Sequence, residues 1–142
     1  MLFRSEFNSG LPLQMCGLDV TEKALIYPEE WEEIRKIGNP VASVVAEWLD
    51  FFFIHVSSLG WEGATLHDPC AVMSLIHPEI FTFQDAYVQI ETKGKYCRGA
   101  TVADDKGRLK HAPNCRVVTG VDREKFVEYL KDACRTFAGW EV

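Results

Sequence analysis

The stretch Gly63-Ala64-Thr65-Leu66-His67-Asp68-Pro69-Cys70-Ala71-Val72 places a histidine beside a carboxylate where a helix is predicted to begin. Asp68 before Pro69 predicts an N-cap and a first helical position, because proline needs no N–H there and its fixed φ suits the first turn. His77-Pro78 predicts the end of this helix, since the residue before a proline disfavours helical backbone. His67 and Asp68 therefore lie where a loop enters a helix, beside its free N–H groups and positive dipole end.

Two interpretations of this pair remain open from these residues alone. An aspartate before a proline is typical of a simple cap, and a single histidine is typical of a surface or a satisfied core position. The alternative is a functional pair at the helix N-terminus. The remainder of the chain has to decide between them.

Composition limits the class of protein. With 142 residues, 47% hydrophobic and 25% charged, the sequence predicts a single globular domain over residues 1–142. The net charge of -6 argues against nucleic acid as a partner, because phosphate binding needs clustered Lys and Arg. Five scattered cysteines without a C-x-x-C pair indicate reduced thiols in the cytoplasm and disfavour a disulfide framework or a zinc site.

We expect no membrane segment. The most apolar stretch, Trp48 to Val56, is interrupted by Asp50 and His55 and is too short to span a bilayer. Nothing in the sequence resembles a signal peptide.

The elements before the His67-Asp68 pair are predicted from apolar spacing and turn residues. Leu11 to Val20 is largely apolar and predicts a buried strand of a parallel sheet. Tyr27-Pro28 opens a helix, and Asn39-Pro40 opens a longer one. The predicted buried stripe of the longer helix is Val41, Val44, Val45, Trp48, Leu49 and Phe52.

The elements after the pair are predicted to be short strands and one helix. Residues 86–91 and 96–102 read as strands around a tight Lys93-Gly94-Lys95 turn, and residues 115–121 read as a third strand. Asp122 predicts the cap of a last helix. Asp104-Asp105 invites a metal interpretation, but adjacent carboxylates in a turn are typically solvated.

Three segments resemble the C-terminal half of a nucleoside hydrolase of the inosine–uridine-preferring family, and they occur in the same order. Residues 17–24 (GLDVTEKA) are similar to the family's G-L-D-V-T-x-K-A stretch. Residues 66–72 (LHDPCAV) are similar to its H-D-P-x-A-V active-site segment, and residues 98–102 (RGATV) to its R-G-x-T-V hairpin. The resemblance extends over nearly all of the chain from about residue 9 onward.

The resemblance implies an α/β fold: the C-terminal portion of an open, mainly parallel sheet with packed helices, plus an antiparallel hairpin around residues 86–103. It implies hydrolysis of the N-glycosidic bond of ribonucleosides with a bound calcium ion. Within that scheme Asp68 is a calcium ligand, and His67 is the catalytic group that helps the base depart. Such a cleavage builds positive charge on the ribose, and an imidazole can protonate a leaving base near neutral pH.

The family's N-terminal D-x-D-x-x-x-D-D cluster does not occur in this sequence. Calcium takes about 6–8 oxygen ligands, so Asp68 alone cannot form the site, and we expect this chain alone to be inactive. Glu6-Phe7-Asn8 spells part of another family segment, but it lies against Ser9-Gly10 without the helix that separates them in the family. The family's active-site aromatics come from the helix and loop before the H-D pair. In this chain that region contains Phe51, Phe52, Phe53, His55 and Trp61, and none of them can be matched individually.

Three interpretations follow. The chain is a truncated hydrolase that keeps half of the site, or a subunit of a split hydrolase whose partner supplies the N-terminal half. Alternatively, it is a non-catalytic binding or oligomerisation module that reuses the fold, since fold does not determine function. A half-sheet exposes apolar surface, so we expect either a homo-oligomer or pairing with a chain that supplies the missing half.

Overall fold

A computed structural model describes residues 2–139 of the chain. The helices are α1 (Leu2–Phe7), α2 (Leu18–Thr21), α3 (Pro28–Arg35), α4 (Pro40–Ser57), α5 (His67–Ile76) and α6 (Arg123–Arg135), with a 3-10 turn at Pro78–Ile80. The strands are β1 (Gln14–Cys16), β2 (Leu25–Ile26), β3 (Ala64–Thr65), β4 (Phe81–Ile90), β5 (Thr101–Asp104) and β6 (Cys115–Val121).

The fold is α/β, as predicted, with a four-stranded sheet in the order β1-β6-β4-β5 and a separate antiparallel pair, β2-β3. The strands β1 and β6 run parallel, and the helices α2 to α5 lie between them in the chain. The β4-β5 and β4-β6 pairs are antiparallel. Parallel pairing is therefore confined, in residues 2–139, to the one pair with a long helical connection, because loops without helices favour antiparallel neighbours.

The predicted hairpin is present, but its loop is longer than expected. Ile90 pairs with Thr101, so residues 91–100 form the connection and the strand predicted over residues 96–102 begins only at Thr101. The carboxylate of Glu91 accepts the backbone N–H groups of Lys93 at 2.6 Å and Gly94 at 2.8 Å. These bonds organise an open loop where the sequence predicted a tight turn.

The strand predicted over residues 11–20 is shorter than expected, because only Gln14–Cys16 pair with the sheet. The Gly17 carbonyl accepts the N–H groups of Val20 at 3.1 Å and Thr21 at 3.0 Å, which starts α2 immediately after the strand. This turn carries Thr21 towards α5.

The main core lies where α3, α4 and α6 pack together beside the sheet. Trp31, Ile34 and Phe126 are at most 2% exposed. The predicted start of α4 at Asn39-Pro40 is confirmed: the Asn39 Oδ1 accepts the Ala42 N–H at 2.8 Å, and its Nδ2 donates to the Cys134 carbonyl at 2.9 Å. The prediction for α6 is also confirmed, because the Asp122 side chain accepts the N–H of Lys125.

The buried face of α4 overlaps the predicted stripe only in part, since Leu49 is buried and Val45 and Phe52 pack against the core. Its buried residues are Ala42, Ala46, Leu49 and Val56. Trp48, which the apolar spacing placed in the buried stripe, is 69% exposed. An 18-residue helix that is apolar on most sides has no unique stripe, so small alanines at the close contact decide which face packs.

By length and composition α4 is able to cross a membrane, which the shorter stretch chosen from the sequence did not indicate. In this fold its buried face packs on the main core. Its Asp50 carboxylate accepts the Trp31 Nε1–H at 2.9 Å and forms an ion pair with Arg35. These contacts integrate α4 into the globular core.

Candidate functional site

The helix α5 begins at His67, two residues earlier than the sequence predicted. Its N-cap is Leu66, whose carbonyl accepts the Cys70 N–H at 3.1 Å, and no side chain caps the helix. The prediction that Asp68 is the N-cap is therefore wrong. Asp68 lies in the first helical turn, where a carboxylate interacts favourably with the helix dipole.

The His67 imidazole is held at both of its nitrogens. Its Nδ1 lies 2.8 Å from the Thr21 hydroxyl, and its Nε2 lies 3.0 Å from the Thr65 hydroxyl. Both threonines are buried, at 3% and 8% exposed. Because a hydroxyl can donate or accept, both ring nitrogens keep a partner whether the imidazole is neutral or protonated.

Three segments position this histidine. Thr21 comes from α2, Thr65 from β3, and His67 itself begins α5. The Leu66 N–H donates to the Ala24 carbonyl at 3.1 Å, which fastens the start of α5 to the end of the α2 turn. Sequence reasoning did not identify the two threonines as functional, although Thr21 stands inside the GLDVT stretch.

A cavity of about 470 Å³ lies beside His67 and Asp68. Its walls are predominantly apolar and come from α4, α5 and α6. Thr65 of β3 lines one side. The lining residues are Val45, Trp48, Leu49, Phe52, Thr65, Leu66, His67, Asp68, Pro69 and Leu130. Its size falls within the range of about 300–1,000 Å³ that is typical of small-molecule sites.

The aromatic residues before the pair divide into different roles. Phe52 lines the cavity, whereas Phe53 packs edge-on against Trp31 with ring centroids 5.3 Å apart. Phe51 is 79% exposed, and His55 and Trp61 do not line the cavity. The second aromatic wall is Trp48, which the sequence had placed in the core.

The Asp68 carboxylate is exposed at the rim of this cavity, and no described residue forms a hydrogen bond or ion pair with it. Within residues 2–139 no group of three or more His, Cys, Asp or Glu side chains is placed to hold a metal ion. A calcium ion needs about 6–8 oxygen ligands. The described residues therefore do not fit calcium on their own.

The Asp104-Asp105 pair has a structural role at Asp104. Its carboxylate accepts the backbone N–H groups of Leu109 at 2.7 Å and Arg108 at 2.9 Å. These bonds lower the pKa of Asp104 below its ordinary value, and the bond from Leu109 has the largest effect. Asp104 thus closes the turn that follows β5.

Comparisons with known proteins agree with the arrangement of these segments. The sequence model described as inosine-uridine preferring nucleoside hydrolase matches residues 3–128. The chain is 46% identical over 134 residues to the pyrimidine-specific ribonucleoside hydrolase RihA of Shigella flexneri, and equally to that of Escherichia coli O1:K1. Each alignment covers 93% of this chain and 43% of the relative, so the chain spans less than half the length of these relatives.

Solved structures show the same fold. A purine-preferring ribonucleoside hydrolase from Gardnerella vaginalis superposes with a TM-score of 0.80 at 28% identity, over 93% of this chain and 42% of that one. A plant nucleoside hydrolase superposes with a TM-score of 0.83 at 19% identity, over 94% of this chain and 44% of that one, and it supports the fold alone. Since the family model matches most of the sequence, the chain belongs to the inosine-uridine preferring nucleoside hydrolase family.

Proposed function

We propose that this chain carries the leaving-group half of a ribonucleoside hydrolase site. The observation that supports this most directly is the His67 imidazole, fixed by Thr21 and Thr65 at the edge of an aromatic-walled cavity. The reaction is the hydrolysis of the bond between a nucleobase and ribose. This chain supplies the groups around the base, and the calcium-binding carboxylates other than Asp68 come from outside it.

The base departs with the bonding electrons and needs a proton. An imidazole titrates near neutral pH, so it can deliver a proton and regain it from water. Thr65 and His67 both line the cavity, and the Thr65 hydroxyl lies 3.0 Å from the His67 Nε2. We propose that the proton passes from Nε2 through this hydroxyl, while Thr21 keeps the ring oriented from Nδ1.

The cavity suits a planar, largely apolar ring. Trp48 and Phe52 contribute aromatic faces one helical turn apart on α4, because side chains at i and i+4 share a face. A nucleobase stacked there would gain apolar burial while its ribose lies towards Asp68. One relative is named purine-preferring and another pyrimidine-specific, and both are ribonucleoside hydrolases. These names support ribonucleosides as the substrate class but do not select between purine and pyrimidine bases.

Asp68 is proposed as one calcium ligand in the completed site, by resemblance to the family's H-D-P segment. Bound calcium would hold ribose hydroxyls and lower the pKa of a water molecule. The described residues supply only this one carboxylate at the cavity rim. We therefore propose that the chain alone does not hydrolyse nucleosides.

The second candidate is a subunit of a split hydrolase, and an exposed surface favours it over a truncated product. The outer face of α5 is apolar, with Val72 59%, Leu75 68% and Ile76 63% exposed. Leu75 and the 67% exposed Leu11 line one open groove of about 750 Å³ beside β1. The proposed occupant is a polypeptide equivalent to the part of the relatives that this chain does not match.

One further feature supports a cytoplasmic hydrolase. The cysteines within the described residues are free thiols, which is typical of a reducing compartment.

A second copy of this chain, which the sequence predicts as one possible partner, is an alternative occupant of the outer face of α5. A homo-oligomer that hides Leu75 would replace the split-enzyme proposal.

The test is a complementation experiment. This chain is mixed with the portion of the Shigella flexneri relative that it does not match, and ribose release from uridine and inosine is measured with calcium. We expect His67→Ala and Thr65→Val to lower kcat, and Trp48→Ala chiefly to raise KM. Leu75→Glu should weaken association of the two chains, whereas the exposed Leu109→Glu, in the turn after β5, serves as its matched control.

The non-catalytic interpretation makes the opposite forecast. A binding or oligomerisation module would remain indifferent to calcium and nucleosides after mixing, and His67→Ala would change no kinetic or binding signal. A stable association without any ribose release would therefore favour the module over the hydrolase.

A further inference from the structure

Two cysteines meet where β1 and α5 pack together. Cys16 is the last residue of β1, and its Sγ lies 3.5 Å from the Ser74 hydroxyl of α5. Cys70 and Ser74 are separated by one turn of α5 and are 0% and 1% exposed. Because Cys70 lies one turn from Ser74 on α5, the Ser74 contact places Cys16 beside Cys70, and the two side chains interact closely enough to shift each other's pKa.

We propose that Cys16 and Cys70 form an oxidisable dithiol, which a hydroperoxide converts into a disulfide that ties the end of β1 to the first turns of α5. The assignment is independent of the proposed hydrolase activity. It concerns the same helix that carries His67, but it uses neither His67 nor Asp68.

The two cysteines differ in access. Cys16 is partly exposed and lines an open cavity of about 710 Å³ together with Gly17 and Leu18. Cys70 is fully buried against β1. A small peroxide can therefore reach Cys16 first, and Cys70 is positioned to attack afterwards.

Cys16 is also the stronger nucleophile. The hydrogen bond from Cys70, assisted by Ser74, lowers the pKa of Cys16 to about 6, against the opposing effects of burial and of the Asp19 carboxylate. Ser74 has a single hydroxyl proton, and its Oγ lies 2.7 Å from the Ala71 carbonyl. When Ser74 donates there, Cys70 is the donor that stabilises the thiolate, which is the reactive form of a cysteine.

The chemistry balances with a hydroperoxide as the oxidant. The Cys16 thiolate attacks one peroxide oxygen, the O–O bond breaks, and hydroxide leaves with Cys16 as a sulfenic acid. The Cys70 sulfur then attacks the Cys16 sulfur, the S–O bond breaks, and water leaves with the proton of Cys70. Two sulfurs are oxidised by two electrons in total, and one peroxide is reduced to water and hydroxide.

The other cysteines provide internal controls. Cys97 is exposed in the loop between β4 and β5. Cys115 and Cys134 are buried, and burial raises the pKa of both thiols above their ordinary value. None of these three is paired with a thiol in the described contacts.

The test uses the full 142-residue chain. Reduced protein is treated with one equivalent of hydrogen peroxide, remaining thiols are alkylated with iodoacetamide, and the digest is analysed by mass spectrometry. We expect a Cys16–Cys70 cross-linked peptide as the main product and Cys97 alkylated. The Cys97→Ser variant should leave the yield unchanged, whereas Cys70→Ser should abolish the cross-link and leave Cys16 as sulfenic or sulfinic acid.

A second measurement on the unmodified chain avoids any folding defect of a variant. The rate of Cys16 alkylation is followed against pH beside a small-molecule thiol. We expect its half-maximal rate near pH 6, compared with about 8.5 for an unperturbed cysteine thiol. The proposal is overturned if peroxide links other cysteines in preference, if Cys16 stays alkylatable after peroxide, or if its pH profile matches the small-molecule thiol.

Discussion

The two faces of this molecule differ in how far their packing is complete. Where α3, α4 and α6 meet, the large side chains Trp31, Ile34 and Phe126 are at most 2% exposed. On the outer face of α5, Val72, Leu75 and Ile76 are each more than half exposed, and they continue towards the unpaired edge of β1 within the described sheet. The first face is a finished core, in which the large apolar side chains are buried. The second face has apolar side chains like those of a core, but nothing in the described chain covers them.

The candidate site lies on the boundary between these two faces and shares their asymmetry. His67 receives both of its hydrogen-bond partners from within the chain, from Thr21 and Thr65. The neighbouring Asp68 carboxylate is exposed and has no described partner. The chain thus holds the imidazole at both nitrogens and leaves the carboxylate open to groups from elsewhere.

The largest expected effect separates the two faces directly. Phe126→Ala should lower the free energy of unfolding by about 3–5 kcal/mol, because it opens a cavity in the finished core. Leu75→Ala on the open face should change it by no more than about 0.5 kcal/mol. Urea denaturation of the chain measures both, and comparable losses would mean that α5 is covered in the isolated chain.

The next effect tests how the finished core is fastened. Asn39→Ala should lower the free energy of unfolding by about 2 kcal/mol, because it removes a helix cap and one of the donors to the Cys134 carbonyl, which then keeps only the Phe137 N–H at 3.4 Å. Asn39→Asp is the matched control, since it keeps the cap acceptor and loses only the amide donor. If the two variants unfold at the same urea concentration as the parent chain, Asn39 does not hold α4 to α6.

A smaller effect concerns the internal anchoring of the imidazole. Thr21→Val keeps the side-chain shape but removes the hydroxyl at Nδ1, and should cost about 1 kcal/mol. The ¹⁵N NMR shifts of the His67 ring should change with it. Thr82→Val, at an exposed threonine pair on the sheet, is the control that should leave those shifts in place. Unchanged His67 shifts in Thr21→Val would contradict the anchoring.

The smallest expected effect distinguishes a helix cap from an exposed carboxylate in the first turn, such as Asp68. Asp68→Asn should alter stability by at most about 0.5 kcal/mol, since its carboxylate acts only through the helix dipole. Asp122→Ala removes a true N-cap and should cost about 1 kcal/mol. Thermal unfolding of the two variants side by side tests this, and an equal or larger loss in Asp68→Asn would restore the capping role.

Local signals in the sequence predicted the starts of α3, α4 and α6. The Asn39-Pro40 and Asp122 caps and the β6 strand at residues 115–121 are confirmed. These features depend on neighbouring residues, which a single sequence displays. The three ordered segments also carried the family assignment, because each combines unusual residues at fixed spacing.

What the sequence did not predict depends on long-range contacts. The packed face of α4 is set by alanines that allow close approach, so Trp48 became a cavity wall. The two hydroxyl partners of His67 are 46 and 2 residues away along the chain, and only the fold shows that they converge on one ring. Asp68 became a first-turn residue because the Leu66 carbonyl already starts the helix.

The central claim is that this chain holds the His67 half of a ribonucleoside hydrolase site and needs the calcium half from elsewhere. The most direct measurement is ribose release from uridine and inosine by the folded chain alone and by the chain mixed with the portion of a relative that it does not match, with calcium or with chelator. We predict no release above blank from the chain alone, and calcium-dependent release from the mixture that His67→Ala abolishes. Ribose release by the chain alone in the presence of chelator would contradict the claim.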